Sequence, residues 1–226
     1  MSKQKTIAAL RRSAMVSFAT HGYEAASLRD ICAAAGVPLS AVHTYFGSKS
    51  DLYTEVSRLA WEDIERERRA HFSAAAARSP GGASVADFVH AIAYPIVWRA
   101  LSDDPVDLAW VWIVRGGVWQ HGSPSSLQMT GGAPRAIEQW IEELEKRMPG
   151  CTHADAVWAY SYIVGTVYSW QIIDRLYDKY LDDEPRPNSA EVAQDIVAFC
   201  CAGLDAMVTL RKGRAETAEI PQIRAI

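Results

Sequence analysis

The chain of 226 residues is 49% hydrophobic and carries 23 Lys and Arg against 27 Asp and Glu, for a net charge of −4. This composition excludes a disordered or collagen-like chain and predicts a globular protein, long enough for two modest cores. The charge is uneven, because residues 1–50 have six basic and two acidic side chains, while residues 51–226 hold the acidic excess. A basic N-terminal part on an acidic body favours contact with phosphates at that end.

The first predicted helix runs from Lys5 to about His21 and ends at Gly22. Its apolar positions recur three or four residues apart, at Ile7, Leu10, Ala14 and Phe18. We expect this helix to pack on the two helices that follow it and to form a three-helix unit with them.

Residues 27–49 predict two short helices joined by a tight turn. Ser27 suits the N-cap of the first helix, with Asp30 in the position of a capping-box acid. Gly36 suits the left-handed residue that closes this helix, and Pro38 suits the first turn of the second, which ends near Gly47. A glycine-containing turn between two short helices indicates a helix-turn-helix, whose second helix enters the major groove of DNA.

The same stretch resembles the DNA-binding segment of TetR/AcrR-type transcriptional regulators, whose usual pattern is A-G-V-S-x-G-x-L-Y-x-H/Y-F-x-S-K-x-x-L. The resemblance covers roughly residues 5–53 and rests on Ala34-Ala35-Gly36-Val37, Val42, Tyr45-Phe46-Gly47-Ser48-Lys49 and Asp51-Leu52. Three positions depart from the pattern, where Pro38, Ser40 and His43 replace the usual Ser, Gly and Tyr. These positions lie on or beside the DNA-facing surface in the family, so the resemblance does not specify the operator sequence.

The resemblance implies an all-α protein with a helix-turn-helix DNA-binding domain over residues 1–50 and a helical effector-binding and dimerisation domain over residues 51–226. It implies that bases, sugars or thymine methyl groups are contacted by Pro38, Leu39, Ser40 and His43. It implies that phosphates are contacted by Ser27, Arg29, Tyr45 and Lys49. A Ser hydroxyl or a His ring can donate or accept a hydrogen bond, so neither residue type predicts a particular base.

Six further helices are predicted, for about nine in all. The first begins near Ser48 and runs towards Ala77, with a mixed charge run over residues 62–69 that we expect on solvated faces. The others are expected at about 84–101, 105–119, 134–148, 152–180 and 190–210. No stretch alternates with a period of two, so no strand is predicted. The last two helices are apolar around much of their girth, which predicts that they pair two copies in a homodimer.

The body of the chain is rich in aromatic residues, which suits a pocket for a small apolar or aromatic ligand, although any single Trp could simply fill the core. TetR-type regulators use this part of the fold as an effector pocket and dimer surface. The candidate ligand contacts are Tyr94, Trp98, Trp112, Arg115, Trp119, Trp158 and Tyr162. Arg115 interrupts an apolar run and would hold either an effector's carboxylate or an acid of the chain such as Asp107.

Motifs for catalysis, metal ligation and dinucleotide or phosphate binding are missing from the sequence, so we predict no enzyme, cofactor or metal site. The four cysteines lack paired spacing and are expected as free thiols. We find no secretory signal and no charge-free apolar stretch of membrane-spanning length, so no membrane partner is expected. The resemblance to TetR/AcrR-type regulators implies a cytoplasmic protein.

Three functions fit these observations. The favoured one is a sequence-specific regulator, a repressor that binds double-stranded operator DNA as a homodimer and is released by a small effector. The alternative is an α-helical ligand-binding enzyme or carrier with a vestigial helix-turn-helix. A third is an activator or architectural DNA-binding protein that has no effector.

Overall fold

The computed structural model describes residues 2–119, 132–180 and 185–216, without the side chains of residues 117–119, 132–133, 170–178 and 212–216. Over these ranges the chain forms helices and no strand, which confirms the all-α prediction. The helices are α1 (Lys3–Ala25), α2 (Leu28–Ala35), α3 (Ser40–Tyr45), α4 (Lys49–Arg78), α5 (Val85–Ala100), α6 (Pro105–Trp119), α7 (Gly132–Glu145), α8 (His153–Tyr180) and α9 (Ser189–Glu216).

Local signals in the sequence account for several helix ends. The Ser48 side chain accepts a hydrogen bond from the backbone N–H of Asp51 at the start of α4. Ser84 and Asp87 form a reciprocal capping box at the start of α5. Gly22 has φ 76° and ψ 169°, so helical geometry breaks there as predicted, and one short turn continues α1 to Ala25.

The N-terminal helices α1, α2 and α3 close over a small apolar core that they share with the start of α4. Phe18 and Tyr53 meet edge to face in it, with ring centroids 4.9 Å apart. The fully or almost fully buried side chains include Leu10, Phe18, Ile31, Val42 and Leu52. This packing fixes α3 on the unit by one side, so its opposite side faces outward.

The helix α4 joins the N-terminal unit to the body. It is 30 residues long and begins at Lys49, so the predicted domain boundary at residue 50 falls in its first turn and stays a prediction. A second connection is made where α1 packs on α6, with Arg12 Nη2 3.4 Å from Asp104 Oδ1. The buried apolar side chains form one cluster that extends from Leu10 to Leu204.

In the body, α5 lies at the centre and packs against α4, α6, α8 and α9. Its Phe88 forms an edge-to-face trio with Phe72 of α4 and Trp140 of α7, with centroids between 5.4 and 5.9 Å apart. Pro95 lies inside this single helix. The side chains of α5 therefore contact α7 as well as these four helices.

The charge run of residues 62–69 was expected on solvated faces, and this expectation is wrong for two of its members. Arg68 is 1% exposed and Glu65 is 8% exposed. A buried charge needs a partner, and Arg68 Nη1 donates to Glu65 Oε1 at 3.1 Å. The cause is helical periodicity, because the last buried position before them, Ile64, is one four-residue step before Arg68.

The last helix, α9, leaves large apolar side chains on the surface, among them Phe199 at 70% and Leu210 at 65% exposed. By length and composition alone, the segment Ser189–Arg211 could cross a membrane, since the mean hydropathy of its 18-residue apolar window is 1.5. Of that window, 28% is buried inside the fold. A helix with one face on a protein core and another at a subunit interface has the same composition, so this is weak evidence for a membrane span.

Candidate functional site

The turn between α2 and α3 has the geometry of a helix-turn-helix. Gly36 ends α2 in the left-handed conformation, with φ 67° and ψ 34°, as the sequence predicted. The N–H of Val37 donates to the Cys32 carbonyl at 3.0 Å, which folds the chain back across the end of α2. Ala41 and Val42 are buried and hold α3 against the unit.

The outward side of α3 and its preceding turn carries the residues expected to face bases. Pro38, Leu39, Ser40 and His43 are all exposed, and Pro38 and Ser40 line the same concavity. This concavity is open, has a volume of about 380 Å³ and is lined by Thr6, Gly36, Val37, Pro38, Ser40, Ala41, Thr44 and Tyr45. Thr6 of α1 and Thr44 of α3 were not among the predicted contacts, because only the tertiary packing of α1 brings Thr6 to this surface.

The His43 ring is oriented by the turn that follows its helix. Its Nδ1 lies 3.0 Å from the carbonyl oxygen of Gly47. A carbonyl can only accept a hydrogen bond, so Nδ1 carries the proton of this contact. In the neutral ring, Nε2 is then the acceptor nitrogen.

The predicted phosphate contacts flank this surface. Ser27 is half-buried at the N-cap of α2, but its side chain makes no capping hydrogen bond, so the predicted capping box with Asp30 does not form. The helix start is held instead by the backbone, where the N–H of Ile31 donates to the Ser27 carbonyl at 3.0 Å. Arg29 is exposed on α2 and Tyr45 is half-buried at the end of α3.

Lys49 lies at the edge of this surface and also makes contacts within the chain. Its Nζ donates to the carbonyl oxygen of Glu24 at 3.0 Å and lies 4.9 Å from the ring centroid of Tyr23. These contacts tie the start of α4 to the end of α1. Residue spacing carries no signal for this role, which depends on how α1 and α4 pack.

The predicted ligand contacts fall into separate groups in the body. On α5, Tyr94 is half-buried and stacks on His90, while Trp98 is largely exposed beside Arg99. On α6, the Arg115 guanidinium lies 5.1 Å from the ring centroid of Trp112.

On α8, Trp158 and Tyr162 stack on each other and are 53% and 56% exposed. Trp119 belongs to α6, but its side chain is outside the described residues. The described side chains of the predicted set lie on three helices, α5, α6 and α8, and their role in ligand binding stays a prediction.

A polar cluster in the core of the body was missed by the sequence analysis. Glu65 accepts hydrogen bonds from Arg68 and from Trp140, whose Nε1 lies 2.7 Å from Glu65 Oε2. Arg69 lies on the solvent side, with Nη2 3.9 Å from the same carboxylate oxygen. One signal in the sequence could have indicated that Arg68 is buried. Arg68 follows the apolar residue Ile64 by four positions, which places both on the same face of a helix. Within the described ranges, no three His, Cys, Asp or Glu side chains group to hold a metal ion.

Comparison with known proteins identifies the N-terminal unit. Residues 10–56 match the family model for bacterial regulatory proteins of the tetR family. Among curated proteins, no sequence matches this chain.

Solved structures of the same fold include a proposed transcriptional regulator from Pseudomonas aeruginosa PAO1, with a TM-score of 0.62 at 16% identity over 92% of this chain and 93% of that chain. AibR, in complex with isovaleryl coenzyme A and operator DNA, has a TM-score of 0.58 at 12% identity, over 86% of this chain and 97% of that chain. NalD, the secondary repressor of the MexAB-OprM multidrug efflux pump in Pseudomonas aeruginosa, has a TM-score of 0.58 at 18% identity, over 89% of this chain and 98% of that chain. At these identities the likeness shows the fold.

Proposed function

Since this chain is a TetR-family regulator by its matched N-terminal unit and its fold, we propose that it is a cytoplasmic repressor that binds operator DNA as a homodimer and is released by a small effector. The observation that carries the proposal is the exposed side of α3, which lies inside the matched residues 10–56 and presents polar side chains beside an open concavity. It acts by binding, and no catalytic step is assigned to it.

The DNA contacts divide by chemistry. Pro38, Leu39, Ser40 and His43 face the bases, because they share the exposed side of α3 and its turn. Ser27, Arg29, Tyr45 and Lys49 surround that side and contact phosphates. Phosphate contacts set the position of the protein on the duplex and base contacts set the sequence that it prefers.

The homodimer forms through α8 and α9. Support comes from an apolar groove of about 590 Å³ between them, lined by Tyr162, Ile163, Gly165, Thr166, Ser169, Phe199, Cys200, Gly203, Leu204 and Met207. A Cβ added at Gly165 or Gly203 would meet nothing within 4 Å, so a second backbone can approach closely there. Exposing this apolar groove to water is unfavourable, and that cost favours its burial against a second copy of the chain.

The effector is a small molecule with an apolar or aromatic part that binds in the body. Trp112 and Arg115 are candidate contacts, because both are half-buried and lie against each other on α6. AibR offers a precedent for the class, since that protein was captured with both isovaleryl coenzyme A and operator DNA. An effector releases DNA only if it binds more tightly to the arrangement of the dimer that does not fit the operator.

The proposal is tested by selecting bound sites from random duplex DNA with the full-length protein. We expect a near-palindromic site whose half-sites are about 10–10.5 base pairs apart or a multiple of that distance, because two symmetric recognition helices enter successive major grooves. The Ser40→Ala variant should prefer a different half-site.

A matched control is Thr20→Ala, which removes an exposed hydroxyl of α1 outside the proposed contacts. It should select the same site as the unmodified protein. A protein that enriches no sequence and shows no salt-dependent affinity for any duplex would contradict the DNA-binding proposal.

A further inference from the structure

The guanidinium of Arg68 is buried in the body with one of its edges unpaired. Only 1% of the residue is exposed, and Nη1 is bonded to Glu65. Its Nε and Nη2 atoms are buried and make no hydrogen bond. Leaving donors of a charged group unpaired in the interior is costly, so these two atoms require an explanation.

The two unpaired atoms share one edge of the guanidinium plane. Nε–H and the nearer Nη2–H point in parallel from that edge, at the spacing of the two oxygens of a carboxylate. This pair of donors binds a carboxylate through two parallel hydrogen bonds, which a lysine ammonium cannot reproduce. The unpaired edge is therefore a bidentate site for a planar acceptor with two oxygens.

Tyr168 of α8 adds a third donor beside it. Its hydroxyl is buried without a hydrogen bond of normal geometry, and it lies against the Arg68 guanidinium, whose contact lowers the pKa of Tyr168 against the larger effect of burial. Burial raises the pKa of Tyr168 and also that of the neighbouring Tyr160. The Tyr168 hydroxyl keeps its proton at neutral pH and can donate a hydrogen bond to an anion.

The charges of the cluster also favour an anion. Arg68 and Arg69 carry two positive charges around the single negative charge of Glu65. Two cations beside one carboxylate leave a net positive charge, which attracts an incoming anion. Glu65 is held in place by Trp140, so Arg68 cannot turn its unpaired edge towards it without breaking the existing contact.

We propose that the body binds an effector through a carboxylate, which accepts hydrogen bonds from Nε and Nη2 of Arg68 and from the Tyr168 hydroxyl between α4 and α8. This inference rests on the proposed function for its consequence, since the bound acid would be the signal that releases DNA. It narrows the effector from a small apolar or aromatic molecule to an organic acid with an apolar or aromatic remainder.

The test uses the full-length protein and pairs of compounds that differ only in the acid group. Straight-chain acids from acetate to decanoate, together with benzoate and phenylacetate, are compared with their primary amides by thermal shift and by titration calorimetry. We expect at least one acid to raise the melting temperature and bind measurably, while its amide does neither. The same acid should lower the affinity of the protein for its selected operator.

Two variants locate the acid. Arg68→Lys keeps a positive charge but lacks the bidentate edge, and it should bind the acid about 10- to 100-fold more weakly. Tyr168→Phe keeps the ring and removes the unpaired hydroxyl, and it should bind about 3- to 10-fold more weakly. Because Tyr168→Phe removes one buried polar atom and adds none, the variant should fold even if Arg68→Lys does not.

The proposal is overturned if no acid in the series binds, if acids and amides bind equally, or if the acid's affinity is unchanged in the variants. The first result would mean that buried water alone satisfies Arg68. Operator binding by the protein without any acid is measured in parallel. Its loss would count against the proposed function, whereas its retention with no response to acids would count only against this inference.

Discussion

At the scale of single residues, the side chains next to the proposed DNA surface are oriented by hydrogen bonds within the chain. His43 is bonded to Gly47, and Lys49 is bonded to Glu24. A side chain that is already oriented loses less conformational entropy when it meets DNA. Substitutions at these two positions can separate the effect on folding from the effect on recognition.

Asn and Gln substitutions at His43 should have different consequences. An Asn amide can replace Nδ1 as the donor to Gly47 but presents nothing at the position of Nε2, whereas a Gln amide reaches the position of Nε2 and loses the contact with Gly47. We expect His43→Asn to unfold at the same denaturant concentration as the parent but to lose preference at one operator position, by about tenfold. Selection from random DNA measures the preference. Unchanged selection by both variants would refute base contact by His43.

Lys49→Met should lower both the stability of the fold and the affinity for DNA, and the salt dependence of DNA binding separates the two effects. Loss of the contact with Glu24 should lower the free energy of unfolding by about 0.5–1.5 kcal/mol, whatever the salt concentration used to measure DNA binding. If Lys49 also contacts a phosphate, the slope of log affinity against log salt should become shallower by about one for each half-site. Lys3→Met, at the exposed start of α1, is the control for stability. A stability change with an unaltered salt slope would assign Lys49 to folding alone.

At the scale of elements, α8 and α9 present more apolar surface than one chain covers. Phe199 is 70% exposed and lines the groove between them. Introducing a charge at such a position opposes burial in any interface, because an unpaired carboxylate would have to leave water. The consequence should be visible in the oligomeric state.

We expect Phe199→Glu to convert a dimer into a monomer while the helical content is kept. Sedimentation measures the oligomeric state, and circular dichroism measures the helix content. Leu108→Glu is the matched control, since Leu108 is also an exposed apolar residue but lies on α6. A Phe199→Glu protein that stays dimeric, or a Leu108→Glu protein that becomes monomeric, would place the interface elsewhere.

The sequence predicted the helices well because their limits depend on local chemistry. Ser84 with Asp87, Ser48 and Gly36 act within a few residues of themselves, so their roles follow from spacing alone. Ser27 shows the limit of such signals, because it occupies the N-cap without making the capping contact. The hydrogen bond from Trp140 to Glu65 could not be predicted in the same way, since it depends on α4 and α7 meeting in space.

At the scale of the whole molecule, the stability of the fold should depend on acidity in two ranges. The pKa of His90 is lowered by burial and by the nearby His71, so its neutral form is the one that the folded state favours. The pKa of Glu67 is lowered by its hydrogen bonds from Arg99, and that of Asp155 chiefly by the Thr152 backbone N–H. These carboxylates stabilise the fold only while they are ionised.

The free energy of unfolding should therefore fall as the pH is lowered. A His with a lowered folded pKa gains a proton more easily when unfolded, so its contribution is complete above about pH 6.5 and is lost below that value. The carboxylate contribution is lost below about pH 4.5. Urea titrations across both ranges measure the effect, and His90→Gln should remove the upper step alone. A stability that is constant from pH 7.5 to about pH 5 would contradict the role of His90.

One consequence follows from the length of α4, which enters the N-terminal unit at Lys49 and passes Arg68 in the body. About 29 Å of continuous helix separates these two residues at 1.5 Å per residue. A rigid rod of that length magnifies small rotations, so a tilt of about 5° near Arg68 would displace Lys49 by roughly 2.5 Å. In a symmetric pair the two displacements add, and a change of about 5 Å in the spacing of the two recognition helices is a sizeable part of the 34–36 Å helical repeat of DNA.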